Sequence, residues 1–148
     1  MRYWDTSALV KLYIPEASTP WYLSQLVTST DPALTSEITE VELYSTLSRK
    51  ERKRSIDPGA ARLRFSRFQS LSTSGDIILV PFGQEVVKES RRIADLAYGL
   101  AKPILIRSLD LIHIASASVV HASTMVTADN RLRELASALN MKVLPEAQ

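Results

Sequence analysis

The chain predicts an α/β protein: a three-layer α/β/α sandwich with a short central parallel sheet. Two observations predict it. Short runs with strand character, Arg2–Trp4, Ala33-Leu34, Ile77–Val80, Thr124–Val126 and Lys142–Leu144, alternate with longer segments whose apolar residues recur at helical spacing. That alternation sets successive strands parallel and requires helices on both faces of the sheet. In addition, the 148 residues contain only four glycines and no repeat, low-complexity stretch or linker. One domain over residues 1–148 is therefore expected, long enough to bury a core.

The elements follow in order. The strand Arg2–Trp4 runs into Asp5-Thr6-Ser7, which offer helix-capping side chains ahead of Ala8, Leu9, Leu12 and Tyr13. Pro15 closes that helix. A second helix over Pro20–Val27 carries Trp21, Leu23 and Leu26. After the strand Ala33-Leu34, Thr35 or Ser36 is expected to cap a long helix reaching about Arg54. Its apolar stripe is Ile38, Val41 and Tyr44 or Ser45, with Leu43 and Leu47 beside it. Asp57-Pro58 reads as a cap followed by proline at the first helical position. That helix presents Leu63, Phe65, Phe68 and Leu71 and stops near Ser74-Gly75. The strand Ile77–Val80 precedes a helix over Gln84–Gly99, with Val86, Val87, Ile93 and Leu96 inward. Ser108 is expected to cap a helix bearing Leu109, Ile112, Ala115 and Val119. The strand Thr124–Val126, a helix over Asp129–Leu139 and the strand Lys142–Leu144 complete the chain, with Asn140 supplying a left-handed turn.

Composition narrows the function. An apolar share of 45% and a charged share of 23% describe an ordinary globular protein. No apolar run approaches the roughly 20 residues that span a bilayer, and Asp5 interrupts any N-terminal signal segment. No membrane association and a cytoplasmic location are expected. The absence of cysteine excludes disulfides and thiolate-bound zinc. A net charge of +2 with pI about 9.0 suits nucleic acid without requiring it.

Four acids stand out: Asp5, Glu42, Asp110 and Asp129. Each lies where a strand ends or a helix begins, or on the inner face of an apolar helix. Isolated carboxylates in apolar surroundings are costly unless their charge is compensated. Parallel α/β sheets bind ligands beyond the carboxyl ends of their strands, where Asp5 and Asp129 fall. Four carboxylates converging there suit a hard divalent cation and metal-assisted phosphodiester chemistry. Taken singly, each has a plainer use. Asp5 and Asp129 serve as helix caps, Glu42 as a partner for a base, and Asp110 as a favourable charge at a helix N-terminus.

The segments that carry these acids are Tyr3-Trp4-Asp5-Thr6-Ser7-Ala8-Leu9-Val10-Lys11, Thr35 to Leu43 with Leu47 and Arg49 beyond it, Arg107 to Ala115, and Val126-Thr127-Ala128-Asp129-Asn130-Arg131-Leu132. In this order and at these separations they resemble the PIN-domain ribonucleases, and among them the VapC-type toxins of toxin–antitoxin modules. The resemblance runs over nearly the whole chain. It implies a PIN-like α/β/α domain with an acidic pocket for Mg2+ or Mn2+. It also implies endoribonuclease activity as the toxin component of a type II toxin–antitoxin system, a cognate antitoxin that blocks the pocket, an RNA substrate and a homodimer. Position by position, Asp5, Glu42, Asp110 and Asp129 become the catalytic and metal-binding acids. Glu37 and Glu40 do not match the family position. The residues alone suit one ion or two, and RNA or DNA.

The hydroxyls of Thr6, Ser7 and Thr127, beside Asp5 and Asp129, are candidates for orienting the carboxylates, and capping explains them equally well. Lys11, Arg49 and Arg107 are candidate RNA-phosphate contacts, against an ordinary role as solvated charges. The run Arg49 to Arg54, followed by Arg62, Arg64 and Arg67, suits either a helix C-terminus or an RNA backbone. His113, three residues after Asp110, shares its helix face and is expected to pack or hydrogen-bond rather than ligate. Trp4, Trp21 and Tyr22 read as packing residues. An aspartyl phosphatase of the haloacid-dehalogenase pattern needs a second acid where Ser7 stands. A receiver domain needs an acidic pair at the first strand's end, and a phosphate loop needs glycines; neither is present. The alternative reading is a non-catalytic PIN-like module that binds nucleic acid or protein; its mark would be lost pocket acids, and all four are in place.

Overall fold

The computed structural model describes residues 1–146; Ala147 and Gln148, the end of the expected 1–148 unit, lie outside the described residues. Strands β1 (Arg2–Trp4), β2 (Ala33–Ser36), β3 (Ile77–Val80), β4 (Thr124–Val126) and β5 (Lys142–Leu144) form one parallel sheet in the order β3-β2-β1-β4-β5. The intervening helices are α1 (Thr6–Tyr13), α2 (Thr19–Val27), α3 (Ile38–Arg52), α4 (Ala60–Ser74), α5 (Gln84–Gly99), α6 (Ser108–Val119) and α7 (Asn130–Ala138). From β1 the chain moves outward through β2 to β3, then returns to β4 on the opposite side of β1. The strand order therefore reverses at β1 and β4, and a crevice opens beyond their carboxyl ends.

Alternation along each strand feeds two cores. Tyr3, Leu34 and Met125 point to one face and pack with Ile93 of α5, Ile114 of α6 and Leu132 of α7. Trp4, Ala33, Ile77 and Val126 point to the other and pack with Leu9 of α1, Leu43 and Leu47 of α3, and Phe68 of α4. These are the three layers expected from the sequence. Among the described residues no helix is long and apolar enough to cross a membrane.

Several local expectations are corrected. Thr35 and Ser36 do not cap α3: they continue β2, pairing with Leu79 and Val80, and both are fully buried. The ladder to β3 outweighs their capping tendency, and the Ser36 hydroxyl reaches the Ile38 N–H only at 3.4 Å. Starting α3 at Ile38 also turns it. Its buried face is Thr39, Leu43 and Leu47, while Val41 is 73% exposed and Tyr44 faces outward. The expected stripe of Ile38, Val41 and Tyr44 is thus displaced, and Leu43 and Leu47 carry the packing. The helix ends at Arg52, two residues before Arg54, which adopts φ 56°.

Asp57-Pro58 precedes α4 without capping it. Gly59 is the cap at φ 82°, a left-handed conformation that glycine adopts freely, and the Glu51 carboxylate from the end of α3 accepts from the Ala61 N–H at 2.8 Å. Arg107 rather than Ser108 occupies the cap position of α6, and α2 begins at Thr19 with Pro20 in its first turn. Asn140 has the left-handed turn expected of it, at φ 60°.

Candidate functional site

Asp5 leaves β1 and caps α1. Its Oδ1 accepts from the Ala8 N–H at 3.0 Å, and the side chain is almost wholly buried, at 3% exposure. Three neutral donors surround it. The Ser7 hydroxyl lies 2.9 and 2.8 Å from its two oxygens, and the Thr127 hydroxyl donates to Oδ2 at 3.0 Å. Burial pushes the Asp5 carboxyl above the usual carboxylate range, and the nearby His113 and these hydrogen bonds oppose it only in part.

Asp129 has the equivalent place after β4. Its Oδ1 caps α7, accepting from the N–H groups of Arg131 and Leu132 at 2.8 and 3.1 Å, which leaves Oδ2 directed elsewhere. Thr127 ties the two acids together, because its hydroxyl also accepts from the Asp129 N–H at 3.0 Å. Ser7 does the same one residue away, accepting from the Ala128 N–H at 2.9 Å. For Asp5 and Asp129 the capping and site readings are compatible: one oxygen of each caps a helix, and both side chains line the same cavity.

Glu42 reaches the crevice from α3, and Asp110 from the first turn of α6. Glu42 Oε2 accepts from the Thr6 hydroxyl and lies 2.7 Å from His113 Nε2. Burial alone would raise the Glu42 carboxyl; the interaction with His113, together with Thr6 and the more distant Arg107, lowers it overall. Arg107 donates from Nε to Asp110 Oδ2 at 2.9 Å and stands 3.5 Å from Asp129 Oδ2 through a terminal nitrogen. Asp110 in turn raises the Arg107 guanidinium above its ordinary value.

A cavity of about 340 Å3 is lined by Asp5, Thr6, Ser7, Glu42, Arg49, Arg107, Asp110, His113 and Asp129, with Val10 and Thr46. All four sequence-predicted acids therefore meet at one place, with two of the three predicted hydroxyls and two of the three predicted bases. Thr127 stands just behind the wall, bonded to Asp5. Lys11 is displaced from the group: it forms an ion pair with Glu16 and lines a neighbouring hollow on the other side of the Thr127–Asn130 turn.

The residue that the sequence left out of the site is His113. It is 2% exposed, with Nδ1 2.9 Å from the Tyr3 hydroxyl and Nε2 facing Glu42 and Thr6. Its spacing from Asp110 signalled a shared helix face. Nothing local signalled its partner on α3, because that contact spans 71 positions. Thr39, buried beneath Thr6 and bonded to Thr35 at 2.7 Å, was equally silent.

The donor set is oxygen only, which suits a hard cation such as Mg2+ or Mn2+. Among the described residues no three His, Asp or Glu side chains already form a closed ligand cluster. Each carboxylate is instead engaged by protein donors, and Arg107 bridges Asp110 and Asp129. The residues fit such an ion in kind and number.

An α/β/α sandwich with this acidic crevice at its strand reversal is the architecture of the PIN domain family, whose profile matches residues 2–138; the chain belongs to that family. Along its full length it is 33% identical to Ribonuclease VapC35 of Mycobacterium tuberculosis, an alignment of 155 residues that covers 98% of that relative. Among solved structures it is similar to VapBC2 from Rickettsia felis bound to a DNA fragment from its promoter, at TM-score 0.63 and 18% identity, covering 97% of each chain. It is also similar to FitAB bound to the IR36 DNA fragment, at TM-score 0.67 and 19% identity over 97% of this chain and 94% of that one. VapBC-1 from nontypeable Haemophilus influenzae gives TM-score 0.63 at 14% identity, covering 97% of this chain and 96% of that one. These structural likenesses concern the fold.

Proposed function

We propose that the chain is a metal-dependent endoribonuclease, the toxin component of a type II toxin–antitoxin pair, acting as a single catalytic unit in the cytoplasm. The observation that carries this reading is the convergence of Asp5, Glu42, Asp110 and Asp129, from four separate segments, on one cavity at the strand reversal. Full-length likeness to a ribonuclease supports it.

In this reading the four carboxylates hold Mg2+ or Mn2+. When bound, such an ion supplies positive charge against the charge that develops on the phosphoryl oxygens, and it lowers the pKa of water. Everything else is the work of the chain. Ser7, Thr127 and the Ala8 N–H fix Asp5; Thr6 and His113 fix Glu42. Arg49, which lines the cavity, and Arg107, once released from Asp110, are placed to hold phosphates of the RNA by charge-assisted hydrogen bonds. Lys11 extends the same role along the strand beyond the Thr127–Asn130 turn.

The antitoxin and a second copy of the chain belong to the same reading. The similar structures include two VapBC proteins and FitAB, some bound to DNA, and the exposed Val41 and Tyr44 of α3 provide apolar surface for a protein partner.

The test is incubation of the purified chain with total RNA and Mg2+ or Mn2+, beside Asp5→Asn and a chelator control. Metal-dependent cleavage by the wild type is expected, reduced about 100-fold or more in the variant. No cleavage by folded, metal-bound protein would shift the reading to a PIN-like binding module, and equal cleavage by Asp5→Asn would place the chemistry elsewhere.

A further inference from the structure

Beneath the cavity floor a line of buried polar groups joins β1 to α3 through α6. Tyr3 is fully buried, and its hydroxyl lies 2.9 Å from His113 Nδ1. The two rings meet edge to face, 6.0 Å between centroids and inclined at 71°. On the far side of the imidazole, Nε2 lies 2.7 Å from Glu42 Oε2 and 3.1 Å from the Thr6 hydroxyl.

The hydrogen positions follow from the donors available. A tyrosine phenol carries its proton at neutral pH and is a hydrogen-bond donor. A buried O–H needs an acceptor, and among the described hydrogen bonds the Tyr3 hydroxyl meets the imidazole Nδ1, at 2.9 Å. A neutral imidazole that accepts at Nδ1 carries its own proton on Nε2, which faces the Glu42 carboxylate. The reverse tautomer would set the Nε2 lone pair against a carboxylate oxygen and leave two protons competing between Nδ1 and the phenol. Glu42 Oε2 thus receives hydrogen bonds from both His113 and Thr6, while no protein donor reaches Oε1 among the described hydrogen bonds.

We propose that Tyr3 and His113 form a buried positioning relay that commits Glu42 Oε2 to protein donors and so presents Oε1 to the cavity. The inference rests on the reading of Glu42 as a metal ligand and adds Tyr3, which does not line the cavity, as the support behind His113. Its physical basis is that a carboxylate on a helix has rotatable torsions. Hydrogen bonds from a second layer, themselves held by packing, remove that freedom before a ligand arrives. The relay is braced at both ends, since Tyr3 lies in the central strand and His113 in the middle of α6.

The test has two independent readouts. The chain contains two histidines, so 15N NMR with His121→Asn as an assignment control isolates the His113 ring. A proton on Nε2 and a bare Nδ1 are expected; a proton on Nδ1 would overturn the relay. Mn2+ affinity is then measured by electron paramagnetic resonance for wild type, His113→Leu, His113→Gln and Tyr3→Phe, with folding checked by circular dichroism. His113→Leu is expected to weaken Mn2+ binding by about 10–100-fold. His113→Gln, whose amide donates from nearly the same place, should restore most of it, and Tyr3→Phe should fall between. Wild-type affinity in folded His113→Leu would overturn the proposal. Should that variant fail to fold, wild-type Mn2+ affinity in folded Tyr3→Phe would overturn it equally. Indistinguishable Mn2+ binding by wild type and Asp5→Asn would instead overturn the metal-site reading, leaving the nitrogen spectrum to decide the hydrogen bonds alone.

Discussion

Replacing Thr127 by valine removes one hydroxyl and almost nothing else. Thr127 is fully buried after β4, and its own N–H bonds the Leu144 carbonyl at 3.0 Å, continuing the strand pairing that a β-branched valine also favours. The hydroxyl has two partners: it donates to Asp5 Oδ2 and accepts from the Asp129 N–H, each at 3.0 Å. A hydrogen bond to a charged acceptor contributes about 1.5–3 kcal/mol, and an orphaned backbone N–H costs about 1–3 kcal/mol when fully buried. Asp5 retains Ser7 and Ala8 as donors, and Asp129 is partly open to water, so both figures fall toward their lower ends. Thr127→Val should therefore destabilise by about 2–4 kcal/mol. For a chain of this length each kcal/mol moves Tm by about 3 °C, giving a fall of roughly 6–12 °C. Thermal unfolding followed by circular dichroism in chelator at neutral pH measures it, and combination with Asp5→Asn isolates the cause. With the charge gone, the two changes should couple by about 1 kcal/mol or more. A Thr127→Val protein within about 0.5 kcal/mol of wild type, or strictly additive changes, would refute the idea that this hydroxyl holds a buried carboxylate.

Two further outcomes concern charge and pH. Asp5→Asn keeps an acceptor for the Ala8 N–H while removing a buried charge, so in chelator at neutral pH it should be between neutral and about 2 kcal/mol more stable than wild type, by denaturant unfolding. Burial raises the Asp5 carboxyl in the folded chain, so the folded state binds that proton more tightly. The wild type then gains stability as pH falls through the folded value toward the unfolded one near 3.8, and the variant's advantage should close over that window. Glu89 behaves oppositely. The hydrogen bond from Arg92 leads in lowering its carboxyl, burial opposes it, and Ser118 adds to the lowering, donating at 2.6 Å from α6. Its stabilisation is present above the unfolded value of 4.5 and lost as pH falls through the lower folded one, so Glu89→Gln should cost about 0.5–1 kcal/mol by urea unfolding at neutral pH and nothing in strong acid.

How much of this was legible in the sequence depended on the distance over which each cause acts. The strands and the sandwich could be read because alternation and helical spacing are local. Asp5 and Asp129 could be read because a strand end followed by a cap is also local, and the parallel sheet then brings them together. The turn of α3 could not. Ile38, Val41 and Tyr44 have the better apolar spacing, but the pairing of Thr35 and Ser36 with β3 fixes where the helix starts and so which face meets the sheet. His113 shows the same limit at the site. Its helix face was evident from Asp110, but its use is defined by Tyr3, 110 positions away, and Glu42. The cap of α4 by Glu51 was hidden too, because the acceptor belongs to the preceding helix.

The four acids divide by the kind of partner that stabilises them, and the division bears on how the site works. Asp5 and Glu42 are held by neutral hydroxyls, a backbone N–H and an imidazole, groups that can stay in place whatever charge enters the cavity. Asp110 and Asp129 share the guanidinium of Arg107, a side chain 66% exposed at the cap position of α6. Exposed ion pairs contribute only about 0–1 kcal/mol, so Arg107 can be exchanged for another cation at little cost. The half of the site held by neutral donors is preorganised, and the half held by Arg107 is provisional. Arg107 is exposed beside the cavity, and in the proposed reading it would turn from the carboxylates to a phosphate of an incoming strand.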